Sequence, residues 1–311
     1  MTRNLAAVVV HWQDPDETLA CVASLAAEPP ARVIVVDNGA AEPVGALLAA
    51  RAPHAVVLRE PENRGYAGGA NVGIRAALAG GAEAVLVLNN DARVAPGAQA
   101  AALAALAEPR VAVVGAKVVT REDPARLWLA WGRVTYRQSL VALCGADVPD
   151  GAEWNVARDV DWIAGCAMWL RADALGALGL LDEELFAYHE EVEWCARARR
   201  AGWRVRYCPA AVVSHTGRGS HGSARSIRIR KYFAARNSIL FARRHAGPME
   251  RLKLGAFLAT SLPLQLLWHL PRGTAGDVVL KLRGVRDGLL GRRPPFEELG
   301  LTTAASRRNA T

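Results

Sequence analysis

What the 311-residue chain lacks narrows it quickly. Its five cysteines, at positions 21, 144, 166, 195 and 208, include no CxxC pair and are odd in number. Neither a zinc site nor a disulfide framework is suggested, and a reducing compartment fits. No uninterrupted apolar run is long enough to span a bilayer. The nearest, LGAFLATSLPLQLLWHL (254–270), is broken by Pro263 and His269 and reads as lying on a membrane surface or packed in protein. The N-terminus has too short an apolar run for a secretory signal and reaches acids at once, so the expected location is cytoplasmic. No GxGxxG turn follows the first strand, which counts against a dinucleotide-binding dehydrogenase. Acids are nearly missing from residues 218–253, where ten Lys or Arg stand against Glu250 in a chain of net charge +8. That segment wants an anionic neighbour. Without zinc-finger spacing or an aromatic RNA-binding motif, charge alone speaks for nucleic acid, and none is expected as a partner.

What is present is an alternation of short β-branched runs and alanine-rich stretches. Strands are predicted over 6–12, 32–37, 55–60, 84–91 and 111–119, with helical sequence between the first four. Strands apolar on both faces and separated by helices imply an α/β fold with a mostly parallel central sheet flanked by helices. Residues 120–160 read as loops and antiparallel ribbons forming one wall of a cleft. A strand entering a short helix is predicted over 160–175, a helix with Gly202 at its C-cap over 190–202, and paired strands over 203–216. Beyond about residue 225 the pattern is helical and basic, and the tail after Arg292 is expected to be loosely held.

Ligands of such sheets bind beyond the carboxyl ends of the strands. His11 with Trp12, Asp37 with Asn38, Arg59 to Arg64, and Asn89-Asn90-Asp91 stand there. Asp37 suits a ribose hydroxyl or a base N–H, although Asp-Asn-Gly is also a good turn. NRGYAGGANVG (63–73) lets backbone approach a diphosphate ahead of a helix, a weak signal on its own. Asp91, closing a buried strand, can hold a divalent cation through oxygen; the alternative is a strand-ending turn. His215, at another strand end, is a candidate imidazole ligand, with weaker claims for His189 and His221. In HEEVEW (189–194), the acids Glu190, Glu191 and Glu193 oppose the partial positive charge of a helix N-terminus, which alone would explain them.

Taken in order, VVVHW, VIVVDNGA, ENRGYAGGANVGIRAAL, VLVLNNDARV, the stretch 165–203, VVSHTGRGS and YFAARNSILFARRH resemble the family 2 inverting glycosyltransferases of GT-A fold, in particular a rhamnosyltransferase-like branch. The likeness runs from about residue 5 to about residue 245. It implies a Rossmann-like GT-A catalytic domain over 1–224, with a nucleotide-sugar half (1–118) and an acceptor half (119–224), followed by a helical, basic region over 225–311. It further implies that His11, Asp37, Asn38, Arg64, Gly65, Gly68, Gly69, Asn71, Asn89, Asn90 and Asp91 bind the nucleoside-diphosphate sugar. The family's DxD motif reads Asn89-Asn90-Asp91 here, so Asp91, with His215, is expected to hold Mn or Mg. Its catalytic acidic pair reads Glu190-Glu191, with glutamate where aspartate is usual and Glu191 as the base. Trp162, Gly165 and Cys166 then form the acceptor side. Trp131 and Trp154 are open between sugar stacking and the core, and Glu193 is expected to make a surface pair with Arg197.

The expected donor is a dTDP-rhamnose-like or UDP sugar. The acceptor is a glycolipid, another glycan or a small molecule. The basic region is expected either to face an anionic membrane surface on the inner side of the plasma membrane or to pack as a solubilising helix. The competing classes are a nucleotidyltransferase and a basic nucleic-acid-binding protein.

Overall fold

The computed structural model describes residues 4–136, 140–216 and 224–301; His221 and the end of the tail, 302–311, lie outside the described residues. The first part alternates β1 (Leu5–His11), α1 (Pro15–Ser24), β2 (Arg32–Asn38), α2 (Gly45–Arg51), β3 (Ala55–Glu60), α3 (Gly65–Ala79) and β4 (Ala84–Asn89). All seven residues of β1 are buried, because it lies between β2 and β4, in parallel with both, under helices. β3 extends the parallel set beyond β2. The chain thus leaves β1 towards β2 and β3 and returns on its other side as β4, which opens a crevice at the carboxyl ends of β1 and β4.

Two glycines of α3 bring the helix down onto the sheet. A Cβ at Gly73 would stand 2.2 Å from Val8 Cγ1, and one at Gly69 would stand 3.0 Å from Val10 Cγ1. Only a residue without a side chain allows that approach. After β4 a tight turn leads to β5 (Ala92–Val94), α4 (Ala98–Ala107) and β6 (Val111–Thr120).

The wall segment follows as β7 (Arg126–Leu129), a hairpin of β8 (Trp131–Val134) and β9 (Val141–Cys144), and the short strands β10 (Val148–Pro149) and β11 (Arg158–Asp159). β12 (Ala167–Arg171) then inserts antiparallel between β4 and β6, leading into α5 (Ala172–Leu178) and α6 (Glu190–Arg200). Residues 203–216, expected as paired strands, form one strand, β13 (Arg204–His215), parallel to β6. Its register shifts between Cys208 and Val212, where Pro209 has no N–H to give to the ladder.

Three helices complete the described chain: α7 (Ala224–His245), α8 (Pro248–His269) and α9 (Gly276–Leu290). α7 packs along α9, where Tyr232 donates to Asp287 at 2.9 Å, and it also binds the sheet domain, through Arg244 to Asp182 and Glu184. The segment just after Arg292 is held more firmly than expected. Leu299 and Leu301 are buried with Phe186, Ile229 and Phe233 because they cap an aromatic cluster. No helix among the described residues is long and apolar enough to cross a membrane.

Candidate active site

A cleft of about 270 Å³ opens at the carboxyl ends of β1 and β4. Its floor and walls bring together Asn38, Gly65, Asn89, Asn90, Asp91, Gly165, Cys166, Glu190, Glu191 and His215, which lie far apart in the chain. The backbone explains part of this. Asn89 N–H donates to the Cys166 carbonyl at 3.0 Å, so the Asn89-Asn90-Asp91 turn and the Gly165-Cys166 loop are joined at the β4–β12 boundary. The Glu191 side chain packs over Gly165, within about 3.5 Å of where a Cβ would stand. A bulkier residue at 165 would push against that carboxylate.

In the cleft, Asp91 Oδ1 lies 3.1 Å from His215 Nε2, and Asp91 Oδ2 accepts from the Thr216 hydroxyl at 2.5 Å. Asn89 Nδ2 is 3.3 Å from the same His215 nitrogen, and Trp128 packs against the imidazole with ring centroids 4.8 Å apart. No group of three His, Cys, Asp or Glu side chains among the described residues is arranged to hold a metal. Asp91 and His215 nevertheless fit a divalent cation that keeps some water and takes further oxygens from a diphosphate, since such ions need only one or two protein ligands.

The two glutamates that begin α6 line the same cleft. Burial pushes the Glu190 carboxyl well above the usual carboxylate range, helped by the neighbouring Glu191 charge. Glu191 is itself pushed up to about 7 by burial, against the pull of the helix-start amides and the Glu190 carboxyl. The pair therefore shares a proton near neutrality, with Glu190 the member that keeps it. Tyr66, whose hydroxyl donates to the Gly165 carbonyl at 2.6 Å, closes the space beside them.

The turn delivering these acids is unusual. Phe186, Tyr188 and His189 all have positive φ, at 63°, 67° and 70°. Phe186 sits in a tight three-residue turn closed by Ala187 N–H to the Leu185 carbonyl at 2.7 Å. Such conformations cost non-glycine residues about 1–3 kcal/mol each. His189, buried just before α6, is held neutral, its pKa pushed down to about 4 by burial.

The other expected site residues stand outside the cleft. Asp37 is buried, and its oxygens accept from Ala40 N, Val44 N and Arg59 Nη1, so it organises the loop after β2 while Asn38 faces the cleft. His11 is buried with Nδ1 2.7 Å from the Thr18 hydroxyl. Arg64 pairs with Glu60 and Glu183. Gly69 fits α3 to the sheet, and Gly68 lies against the Arg64 side chain. Asn71 donates to the Leu181 carbonyl and accepts from its N–H, fastening α3 to the segment ahead of α6. Trp162 is buried against Gly132, and Trp131 packs on Trp154 and Tyr207, so neither lines the cleft. Glu193 does pair with Arg197, at 2.9 Å, but inside the protein; it also meets His245 Nε2 at 3.0 Å, tying α6 to α7. Asn63, within the strand-end stretch 59–64, does line the cleft, whereas sequence reasoning missed Tyr66, Trp128 and Tyr188 in the lining. For Tyr66 the signal was its place in the glycine-rich motif; Trp128 and Tyr188 had none.

A family model described as glycosyltransferase like family 2 matches residues 3–234. The chain is 28% identical over 245 residues to an N-acetylglucosaminyl-diphospho-decaprenol L-rhamnosyltransferase of Mycobacterium tuberculosis, covering 72% of this chain and 78% of that one. It is 32% identical over 222 residues to galactofuranosyltransferase GlfT1 of the same species, covering 69% and 71%. Among solved structures, a mannosyltransferase from Pyrobaculum calidifontis, in complex with GDP-Man and Mn2+, shares the fold with a TM-score of 0.58 at 16% identity, over 93% of this chain and 88% of that one. GalNAc-T7 with UDP, GalNAc and Mn2+ gives a TM-score of 0.57 at 14% identity, over 88% and 58%.

Proposed function

Because the chain belongs to glycosyltransferase-like family 2, with a GT-A fold, we propose that it transfers a sugar from a nucleoside-diphosphate donor to an acceptor hydroxyl by a single inverting displacement, with Glu191 as the base. The observation that carries this reading is that Glu191 and Asp91, a hundred positions apart in the chain, line one cleft. The acceptor oxygen attacks the anomeric carbon while Glu191 takes its proton. The bond from that carbon to the diphosphate oxygen breaks, and its electron pair leaves with the nucleoside diphosphate. Asp91 and His215 would hold a divalent cation, which, when bound, supplies charge stabilisation to the departing diphosphate. Glu190 keeps its proton and orients Glu191. Asn38, Asn63 and the backbone at Gly65 face the donor side of the cleft.

Rhamnose and galactofuranose are the sugars to try first, since the relatives' names carry them, and a polyprenyl-diphosphate glycan is the first acceptor. The surface of α8 suits such an acceptor. Leu252, Leu264, Leu267 and Trp268 are each more than 60% exposed. From Arg251 to Gly276 the chain has no acid, while Arg251, Lys253 and Arg272 are basic. An apolar helix face with basic residues and no acids is complementary to an anionic bilayer surface, and α8 is proposed to lie on one.

The deciding assay incubates the protein with dTDP-L-rhamnose and UDP-galactofuranose, with and without Mn2+, and follows nucleoside diphosphate release. Proton NMR of the product then reads its anomeric configuration. Retention of configuration, or no release from any sugar nucleotide, refutes the proposal.

A further inference from the structure

We infer that Asn237, on α7, is a positioning residue: its carboxamide clamps the strained turn 185–189 and so aims Glu190 and Glu191 into the cleft. The inference rests on the transferase reading above for its catalytic consequence, but not for the clamp itself. Asn237 is fully buried. Its Nδ2, with two hydrogens, lies within hydrogen-bonding distance of three carbonyls of one turn, those of Leu185 at 2.8 Å, Ala187 at 2.9 Å and Tyr188 at 2.7 Å, so that one hydrogen is shared between two of them. A single amide group thus collects the backbone acceptors on both sides of Phe186 and runs up to the residue before His189.

The surroundings all hold the same turn. Arg236 Nη1 donates to the Glu184 carbonyl at 3.0 Å and to Asn237 Oδ1 at 3.2 Å, which fixes the carboxamide with its NH2 towards the turn. Phe233, one helical turn earlier on α7, stacks on Phe186 with ring centroids 5.1 Å apart. From the opposite side, Ala67 N–H donates to the Phe186 carbonyl at 3.1 Å, and a Cβ at Gly65 would stand 2.3 Å from that oxygen. The turn is therefore gripped between the donor-side glycine helix and α7.

A grip is required because the turn's own bond, from Ala187 N–H to the Leu185 carbonyl, closes around Phe186 alone. Phe186, Tyr188 and His189 adopt positive φ without being glycine, and α6 begins at once after them with no side-chain cap from His189. Released, these residues would relax towards negative φ. Relaxation at 188 and 189 re-aims the first turn of α6, which is where both carboxylates are attached. The C-terminal helices are in this way part of the catalytic unit.

The test compares Asn237→Ala and Asn237→Asp with wild type, using Ser238→Ala as control; Ser238 is equally buried but bonds only within α7, to the Ala234 carbonyl. Amide hydrogen exchange reads the clamp. In both Asn237 variants, amides 186–191 should exchange at least tenfold faster, while those of β1 and β4 stay unchanged. Nucleoside diphosphate release from dTDP-L-rhamnose or UDP-galactofuranose reads the consequence. There kcat should fall at least tenfold, the calorimetric affinity for dTDP and UDP should stay within about threefold, and the midpoint of the pH–kcat profile should move down as water reaches the acid pair. The control should match wild type throughout.

Wild-type exchange at 186–191 in both variants overturns the clamp. Faster exchange with unchanged kcat and pH midpoint overturns the positioning role and leaves a merely structural one. If the wild type releases nothing from any sugar nucleotide, the transferase reading fails and the exchange result still decides the clamp. Should Asn237→Ala and Asn237→Asp not fold, Asn237→Ser, which keeps one donor, carries the same readouts.

Discussion

Replacing Glu191 by Gln removes a proton acceptor and almost nothing else. The amide matches the carboxylate in size and still packs over Gly165, so the cleft keeps its shape. General bases contribute about 10²- to 10⁴-fold to a rate, so kcat should fall by that factor, equivalent to about 3–5 kcal/mol of barrier. On the proposed reading donor binding draws on Asn38, Asn63 and Asp91 instead, so the affinity for dTDP or UDP should stay within about threefold.

The pH profile gives a second and sharper reading. Burial raises Glu191 to about 7, and a base acts in its deprotonated form, so wild-type kcat must rise with pH through that value. About half the molecules carry the active form at pH 7 and about a tenth at pH 6, a drop of roughly fivefold in kcat. The residual activity of Glu191→Gln should lack this rise. Stopped assays of nucleoside diphosphate release from pH 5.5 to 8.5 measure both quantities. Undiminished turnover in the variant, or a variant profile still rising through pH 7, would falsify the assignment of the base.

Asp91→Ala should weaken calorimetric binding of the nucleoside diphosphate in the presence of Mn2+ at least tenfold, about 1.4 kcal/mol; equal affinity with and without the substitution counts against a phosphate or metal role there. Glu190→Gln tests the buried proton through stability. A buried acid with a raised pKa holds its proton in the native state while the unfolded chain loses it, so its presence lowers stability increasingly as pH climbs above the ordinary carboxylate value. The variant should therefore gain Tm relative to wild type at pH 8 and gain little at pH 5; equal differences at both pH values refute the shift. Gly73→Ala, which forces a Cβ to 2.2 Å from Val8, should cost about 1–3 kcal/mol in urea unfolding, and a smaller loss would mean that α3 can lift from the sheet freely. Leu267→Glu with Trp268→Glu should abolish co-sedimentation with phosphatidylglycerol vesicles, and wild-type binding should weaken with salt; salt-independent binding removes the charge argument for α8.

The parallel half of the sheet is legible because β1, β2 and β4 are apolar on both faces, a pattern that only a covered parallel sheet explains. The strand-end motifs follow from the same topology, and Asn38, Asn89, Asn90 and Asp91 do meet the cleft. What sequence cannot distinguish is which of two neighbours on a strand end faces the ligand. Asp37 and Asn38 are adjacent, point in opposite directions as strand residues must, and only Asn38 reaches the cleft. The glycine-rich stretch divides in the same way, with Gly65 in the cleft lining and later glycines turned to the sheet. A glycine row favours close approach of backbone to something, and at Gly69 and Gly73 that something is the sheet beneath α3. The strand β12 is legible within 160–175, but its antiparallel direction is not, because its apolar residues would suit either direction. The Glu193–Arg197 pair is legible as a spacing, whereas its burial depends on His245, fifty-two positions away.

The acid pair also shows why the C-terminal helices cannot be set aside as an appendage. A carboxylate basic enough to deprotonate a hydroxyl near neutral pH needs burial, and a buried acid at a helix start is drawn back towards an ordinary pKa by the amides it faces. The structure meets both demands with a turn that packs the Glu191 side chain over Gly165, so that at Glu191 burial outweighs the amides. That turn adopts positive φ at three non-glycine residues, and the groups that hold it come from outside it: Ala67 from α3, and Phe233, Arg236 and Asn237 from α7. The aim of Glu191 is thus a property of the packing between three helices, and a chain cut before α7 would keep every residue of the cleft up to His215 while losing Phe233, Arg236 and Asn237 from the turn that carries the acid pair.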